Sequence, residues 1–288
     1  MKLATLNVNA KEIAAIHTSR GYVTLEAVNR ASGTHWPEEL LALIQSGKLQ
    51  ELQDWYRSDG ERLVAAMPGV PYEEAEIKPI YRNPGKIWGI GMNYIQDAAE
   101  LRHKAEDEEP VGFMKPATTL IGPNDPILLP AGAGTITAEA ELAIIIGKRC
   151  RHISEAEAHT AVAGFTTSLD MTAADIHARN PRFLTRAKSY DTFLSLGPQL
   201  VTPDEIPDVL QLSVTTVLNG EKAFQNRIFN MKFRPWYAVA FHSDFMTLLP
   251  GDVILTGTPG PVVIRDGDVV ECRIDGFDPL LNPVAGTS

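Results

Sequence analysis

Only two cysteines, Cys150 and Cys272, occur in 288 residues, and their spacing suggests no zinc site. A chain so poor in thiols carries no disulfide framework, and its expected place is a reducing compartment, the cytoplasm. Positive charge is scarce as well: 26 Lys and Arg stand against 36 Asp and Glu, a formal net charge of −10. That sign is wrong for a nucleic-acid surface, although a local cation and a well-placed lysine still allow a small anionic substrate. Long apolar runs are missing too. No stretch approaches the roughly 20 apolar residues that cross a bilayer, and the first seven residues lack the continuous apolar core of a secretory signal. Internal repeats and low-complexity segments are absent. What remains is the composition of a soluble enzyme, long enough to fold around a core without cross-links.

The chain divides near Pro79 to Pro84, after a turn-rich link at residues 67–72, into a small N-terminal α/β domain, residues 1–80, and a larger domain, residues 81–288. In the first, residues 13–16 and 22–28 read as strands joined by the Ser19-Arg20-Gly21 turn. Residues 37–46 and 49–66 have helical spacing. In the second, Ser154 and Glu157 fit a helix capping box, with Gly164 as the matching stop. Residues 212–218 and 221–226 read as a hairpin about Asn219-Gly220. Pro250-Gly251-Asp252 and Asp266-Gly267-Asp268 are tight turns leading into strands. Many short strands with few helices predict an α+β protein built on a mixed β-roll or barrel.

The acidic pair Glu139 and Glu141 precedes the apolar, β-branched run Leu142-Ala143-Ile144-Ile145-Ile146, closed by Gly147, which reads as a buried strand. Side chains two apart on a strand share a face, so both carboxylates project together. Held against an apolar interior they repel and lose hydration unless protons or a cation neutralise them. Oxygen ligands suit a hard divalent ion: magnesium, manganese or calcium. The plain alternative is a strand end with two solvated glutamates. Downstream, residues 165–169 have strand composition, and Asp170 at their carboxyl end is either a turn or cap residue or a third carboxylate aimed at the same point. Lys188 follows in a small and aromatic setting. It is either a surface lysine or, in a metal pocket, the group that holds an anionic substrate or a developing enolate.

From about Lys86 to Val284 the chain resembles the fumarylacetoacetate hydrolase superfamily. The resemblance rests on Gly91-Met92-Asn93-Tyr94, Phe113-Met114-Lys115-Pro116, Glu139-Ala140-Glu141-Leu142, Leu169-Asp170-Met171-Thr172-Ala173, Ala187-Lys188-Ser189-Tyr190-Asp191 and Pro250-Gly251-Asp252 running on to Thr256-Gly257-Thr258-Pro259. It implies a divalent metal held by Glu139, Glu141 and Asp170, with Mg2+ first and Mn2+ or Ca2+ as alternatives. Lys188 stands beside it as a catalytic group, and Tyr94, Gln225 and Thr258 are implied substrate contacts. For Gln225, a strand glutamine on a solvent face is an equal reading. A homodimer is implied by the resemblance alone.

Two departures accompany it. Many members of the superfamily carry a histidine four residues after the Asn93 position and a glutamate three further on, a dyad that activates water. Here those places hold Asp97 and Glu100. An aspartate, with a reference pKa of about 3.9, is a weak base near neutrality unless coupling to Glu100 raises it. His103 is a candidate replacement, with an exposed histidine of no role as the plain reading. The second departure is Ala174, where members often carry an arginine that grips substrate. The substrate implied is a small 2-oxo acid or 1,3-dicarbonyl carboxylate, and hydrolysis of its C–C bond is the first activity expected. Isomerisation, tautomerisation or decarboxylation through a metal-stabilised enolate is the alternative, favoured by the missing histidine. A non-catalytic relative that binds metal or ligand is the third.

Overall fold

In the computed structural model, which describes residues 1–95 and 108–286, the chain opens with three antiparallel strands: β1 Lys2–Val8, β2 Lys11–Thr18 and β3 Gly21–Thr24. The strand expected over residues 22–28 stops early. Thr24 turns its hydroxyl oxygen to the Ala27 N–H (3.2 Å) and caps a helix, α1 Leu25–Ser32. Helices α2 Leu40–Gln45, α3 Lys48–Trp55 and α4 Glu61–Ala66 follow. A single π turn, Tyr56–Gly60, joins the last two, so the periodicity of residues 49–66 runs on through a local widening.

Strands then dominate. In order they are β4 Ile77–Lys78, β5 Ile87–Gly91, β6 Val111–Lys115, β7 Leu120–Ile121, β8 Ile127–Leu129, β9 Ile136–Ile146 and β10 Val162–Ala173. Two short helices, α5 Ala174–Arg179 and α6 Leu184–Lys188, precede β11 Leu194–Leu196 and β12 Gln199–Val201. The hairpin β13 Ser213–Leu218 and β14 Glu221–Arg227, the helix α7 Pro235–Phe245, and β15 Val253–Leu255, β16 Val262–Ile264, β17 Val269–Ile274 and β18 Leu280–Gly286 complete the described chain.

The strands form two mixed sheets. The main path of the larger runs β3-β2-β1-β12-β10-β9-β15-β5-β6, and the smaller runs β14-β13-β17-β18-β8. Neither path returns on itself, so the α+β roll does not close into a barrel. Residues 1–80 are continuous with the rest, because β1 pairs with β12 in the register Lys2↔Val201. The Ser154–Glu157 pair forms, with the hydroxyl donating to the carboxylate at 2.6 Å, but only a 3-10 turn, Ala158–Ala161, follows. Gly164 is no helix stop; it lies in β10, where an added Cβ would sit 2.5 Å from the Val201 carbonyl oxygen. No helix among the described residues is long and apolar enough to cross a membrane.

The centre of the larger sheet positions the site. All of β10 and all of β9 except Glu139 are buried, as expected of strands covered on both faces. One face of β9 sends Ala140, Leu142 and Ile144 into a core shared with Phe165, Leu169 and Met171 of β10. The other face has two uses. Ala143 and Ile145 pack in a second core with Leu43, Leu52 and Val64 of the N-terminal helices, and Glu139 and Glu141 occupy its opposite end.

Candidate active site

The antiparallel register of β9 and β10 sets Asp170 opposite Glu139 and Ser168 opposite Glu141. Asp170 therefore lies inside a strand rather than at its end, as β10 runs on to Ala173. Ligand oxygens of Glu139, Glu141 and Asp170 fall within 4.8 Å of one another. Oxygens so spaced can share one ion at about 2.0–2.6 Å from each.

Two lysines enter this cluster. Lys188 Nζ, at the end of α6, lies 2.5 Å from Asp170 Oδ2, 2.9 Å from Glu139 Oε2 and 2.8 Å from Thr172 Oγ1. Burial opposes its charge, but Asp170, Glu139 and Glu141 overcome that and hold the ammonium above the ordinary lysine range. The Phe113 ring lies 4.6 Å beneath it, a cation–π contact. Gly89 makes room for that ring, since a Cβ there would meet Phe113 Cζ at 2.2 Å. Lys115 Nζ, fully buried, donates to Asp170 Oδ1 at 2.5 Å and to the Met171 carbonyl at 3.3 Å. Burial pulls its pKa down to about 8 against the attraction of Asp170.

Three carboxylates thus face two ammonium groups, which leaves negative charge uncompensated. It settles on Glu141, which is 1% exposed. Among the described residues its carboxylate accepts one hydrogen bond, from the Gly257 N–H at 2.7 Å. Burial, and next the charge of Asp170, push its carboxyl well above the usual carboxylate range. An all-oxygen set that otherwise demands a proton fits a hard divalent cation, with Glu139, Glu141 and Asp170 as holders. The backbone is shaped for this. Gly257 takes φ +94°, and a Cβ would sit 2.8 Å from Asn93 Cβ. The Asn93 amide donates to the Phe233 and Thr256 carbonyls (2.9 and 2.7 Å) and accepts from the Phe233 N–H (2.8 Å), which fixes both segments.

Above the cluster lies a cavity of about 450 Å3 walled by Ile90, Met92, Tyr94, Phe113, Leu184, Phe224 and Thr258, with Glu139, Glu141, Thr172, His177 and Lys188 as further polar lining. Tyr94 Oη is buried and has no hydrogen-bond partner among the described residues. Burial and then the charge of Glu141 hold its phenol well above its usual pKa, so it stays a neutral donor. Tyr94 and Thr258 both line this cavity. Gln225 does not: it is exposed on β14 and accepts from Lys222 Nζ at 3.2 Å, while its neighbour Phe224 reaches the cavity over Gly260. Asp97, Glu100 and His103 lie outside the described residues. Lys115, Phe224 and His177 carry no role in the sequence reading. For Lys115 a signal existed, because it sits two residues after Phe113 on the buried face of β6.

Fold and site together define an α+β protein with a buried cluster of three carboxylates under a cavity of small-molecule size. The family model described as "Fumarylacetoacetate (FAA) hydrolase C-terminal" matches residues 86–285, and the chain belongs to that family. The human mitochondrial oxaloacetate tautomerase FAHD2B is 36% identical over 77% of this chain and 73% of its own. The 5-carboxymethyl-2-hydroxymuconate delta-isomerase of Mycobacterium smegmatis is 30% identical, covers 100% of both chains and superposes with a TM-score of 0.78. The maleylpyruvate hydrolase of Sphingobium sp. SYK-6, solved with manganese(II) and pyruvate, is 27% identical over 100% of both chains, with a TM-score of 0.81.

Proposed function

We propose that this chain is a divalent-cation-dependent enzyme that interconverts the keto and enol forms of a small 2-oxo acid. The observation that carries the reading is the buried triad Glu139, Glu141 and Asp170, with Lys188 across it at the floor of a cavity of about 450 Å3. Glu139, Glu141 and Asp170 would hold the cation, which would supply Lewis-acid polarisation of the acid's oxo group. Lys188, whose three N–H groups donate to Glu139, Asp170 and Thr172, offsets through its charge the negative charge that grows on the substrate oxygen, and Tyr94 offers that oxygen a neutral O–H. Apolar walls from Ile90, Phe113 and Leu184 exclude water and strengthen both contacts. Proton transfer is preferred to hydrolysis for two reasons. A tautomerase and an isomerase stand among the relatives, and Asp97 occupies the place where the resemblance expects a histidine to activate water. Mg2+ is the proposed ion, with Mn2+ and Ca2+ as the comparison.

Hydrolysis of a C–C bond is the second reading, supported by the maleylpyruvate hydrolase likeness and by Glu100 in the sequence. The two separate in one assay series. Oxaloacetate keto–enol exchange, oxaloacetate decarboxylation and acylpyruvate cleavage are followed with Mg2+, Mn2+ or Ca2+, and again after chelation. Cation-dependent exchange well above cleavage is expected; cleavage alone would overturn the proposal.

Two variants sharpen it. Lys188→Met should lower turnover by about 10²–10³-fold, the scale of a lost oxyanion donor, while Mn2+ binding survives because all three carboxylates remain. Unchanged kinetics would remove Lys188 from the chemistry. Asp97→His supplies a base with a reference pKa of about 6.5 and should raise acylpyruvate hydrolysis. If the variant cleaves no faster than the parent, a missing base is not what limits hydrolysis.

A further inference from the structure

Keto–enol exchange needs a group that gives a proton to carbon and takes one back, and the cavity presents few. Glu139 and Glu141 are committed as cation ligands. The Lys188 ammonium is locked by three acceptors. Tyr94 keeps its proton. Among the described residues one titratable side chain of the lining remains, His177, and it is the one histidine of that lining. It projects from α5, the helix that begins four residues after Asp170, and it is half-buried. Its ring nitrogens have no hydrogen-bond partner among the described residues, in contrast to His152, His159 and His242, which are each tied to a carboxylate or carbonyl. An imidazole left unpaired at the wall of a cavity with a cation-binding floor is free to exchange protons with what binds there.

We propose that His177 is the proton shuttle to the methylene carbon beside the substrate's oxo group. The inference rests on the tautomerase reading above. In the ketonising direction the imidazolium gives its proton to that carbon, and the C=C π pair becomes the new C–H bond. The enol O–H pair becomes the C=O π bond, and the hydroxyl proton leaves to water. The neutral ring then reloads from solvent through the half-exposed side of α5. The reverse sequence enolises the acid, and neither direction needs an oxidant or co-reactant. The charged groups on α5 and the elements packed against it are Asp175 and Arg179, Arg182 and Arg186 of the following turn and helix, Lys188, and the carboxylates of β9 and β10. Cations and anions are both present around the ring, so its environment is mixed rather than uniformly of one sign.

The test uses the full chain with Mg2+ and oxaloacetate, following enol decay and, in D2O, deuterium entry at the methylene carbon by NMR. The uncatalysed rate is subtracted. His177→Asn should lower kcat and deuterium entry by about 10²–10⁴-fold, the range of general acid–base catalysis, with KM, Mn2+ affinity and thermal stability held. Added imidazole should restore part of the rate in the variant and leave the parent unchanged. A variant that keeps its kcat, or that loses only KM, overturns the shuttle and leaves the tautomerase reading in place. A parent chain that binds Mn2+ yet exchanges no deuterium overturns both.

Discussion

Asp170→Asn should abolish tight cation binding and turnover together while the chain stays folded. Asp170 is the one member of the triad whose two oxygens each face an ammonium group, Lys115 on one side and Lys188 on the other. Asparagine keeps the shape but removes the charge, and its NH2 would meet one of those ammonium groups donor to donor. Loss of an outer partner of a metal site already costs about 10–100-fold in affinity, so loss of a ligand should exceed about 100-fold for Mn2+. Calorimetry or Mn2+ paramagnetic resonance reads this directly. An asparagine variant that binds Mn2+ like the parent would place the cation elsewhere.

Lys115→Met should be the most destabilising single change at the site. Lys115 and Asp170 are both fully buried and 2.5 Å apart. Methionine matches the stem but leaves Asp170 Oδ1 without its charged donor. Removing one partner of a buried pair typically costs about 3–5 kcal/mol, a large part of a domain's stability. Chemical denaturation checks the figure. The double variant with Asp170→Asn should lose less than the two single losses together, because the second change removes the charge that the first stranded. Additive losses would mean the pair is not coupled. Excess Mn2+ should recover part of the stability of Lys115→Met, since a cation that binds only the folded chain raises its stability by mass action.

The sequence shows the acidic pair plainly because strand period alone puts Glu139 and Glu141 on one face. Asp170 is harder. Its place opposite Glu139 depends on the register of two long strands, which no local pattern states. Lys115 was hidden by residue type, since a lysine is ordinarily solvated, and its partner lies 55 residues away. Gln225 takes the solvent-face reading, exposed on β14. The Asn219-Gly220 turn sets the hairpin as expected, but the register shifts between Thr216 and Val217, leaving Ala223 as an extra residue. A bulge of this kind changes which side chains of β14 share a face, and Phe224 rather than Gln225 lines the cavity. α7 escaped for another reason. Pro235–Phe245 is apolar nearly all round, so it lacks the stripe by which a surface helix is read.

The divided face of β9 bears on how this chain can be cut and recombined. Past Glu139 and Glu141 the same row continues as Ala143 and Ile145, covered by Leu43, Leu52 and Val64. A fragment beginning at residue 81 would carry a bare apolar stripe on the same face of β9 that bears Glu139 and Glu141. It would also carry an unpaired edge at β12, which β1 now occupies. Both are templates for self-association. Trimming off the first 80 residues therefore invites aggregation, whereas a replacement segment would have to supply both the apolar cover of β9 and a strand for the edge of β12.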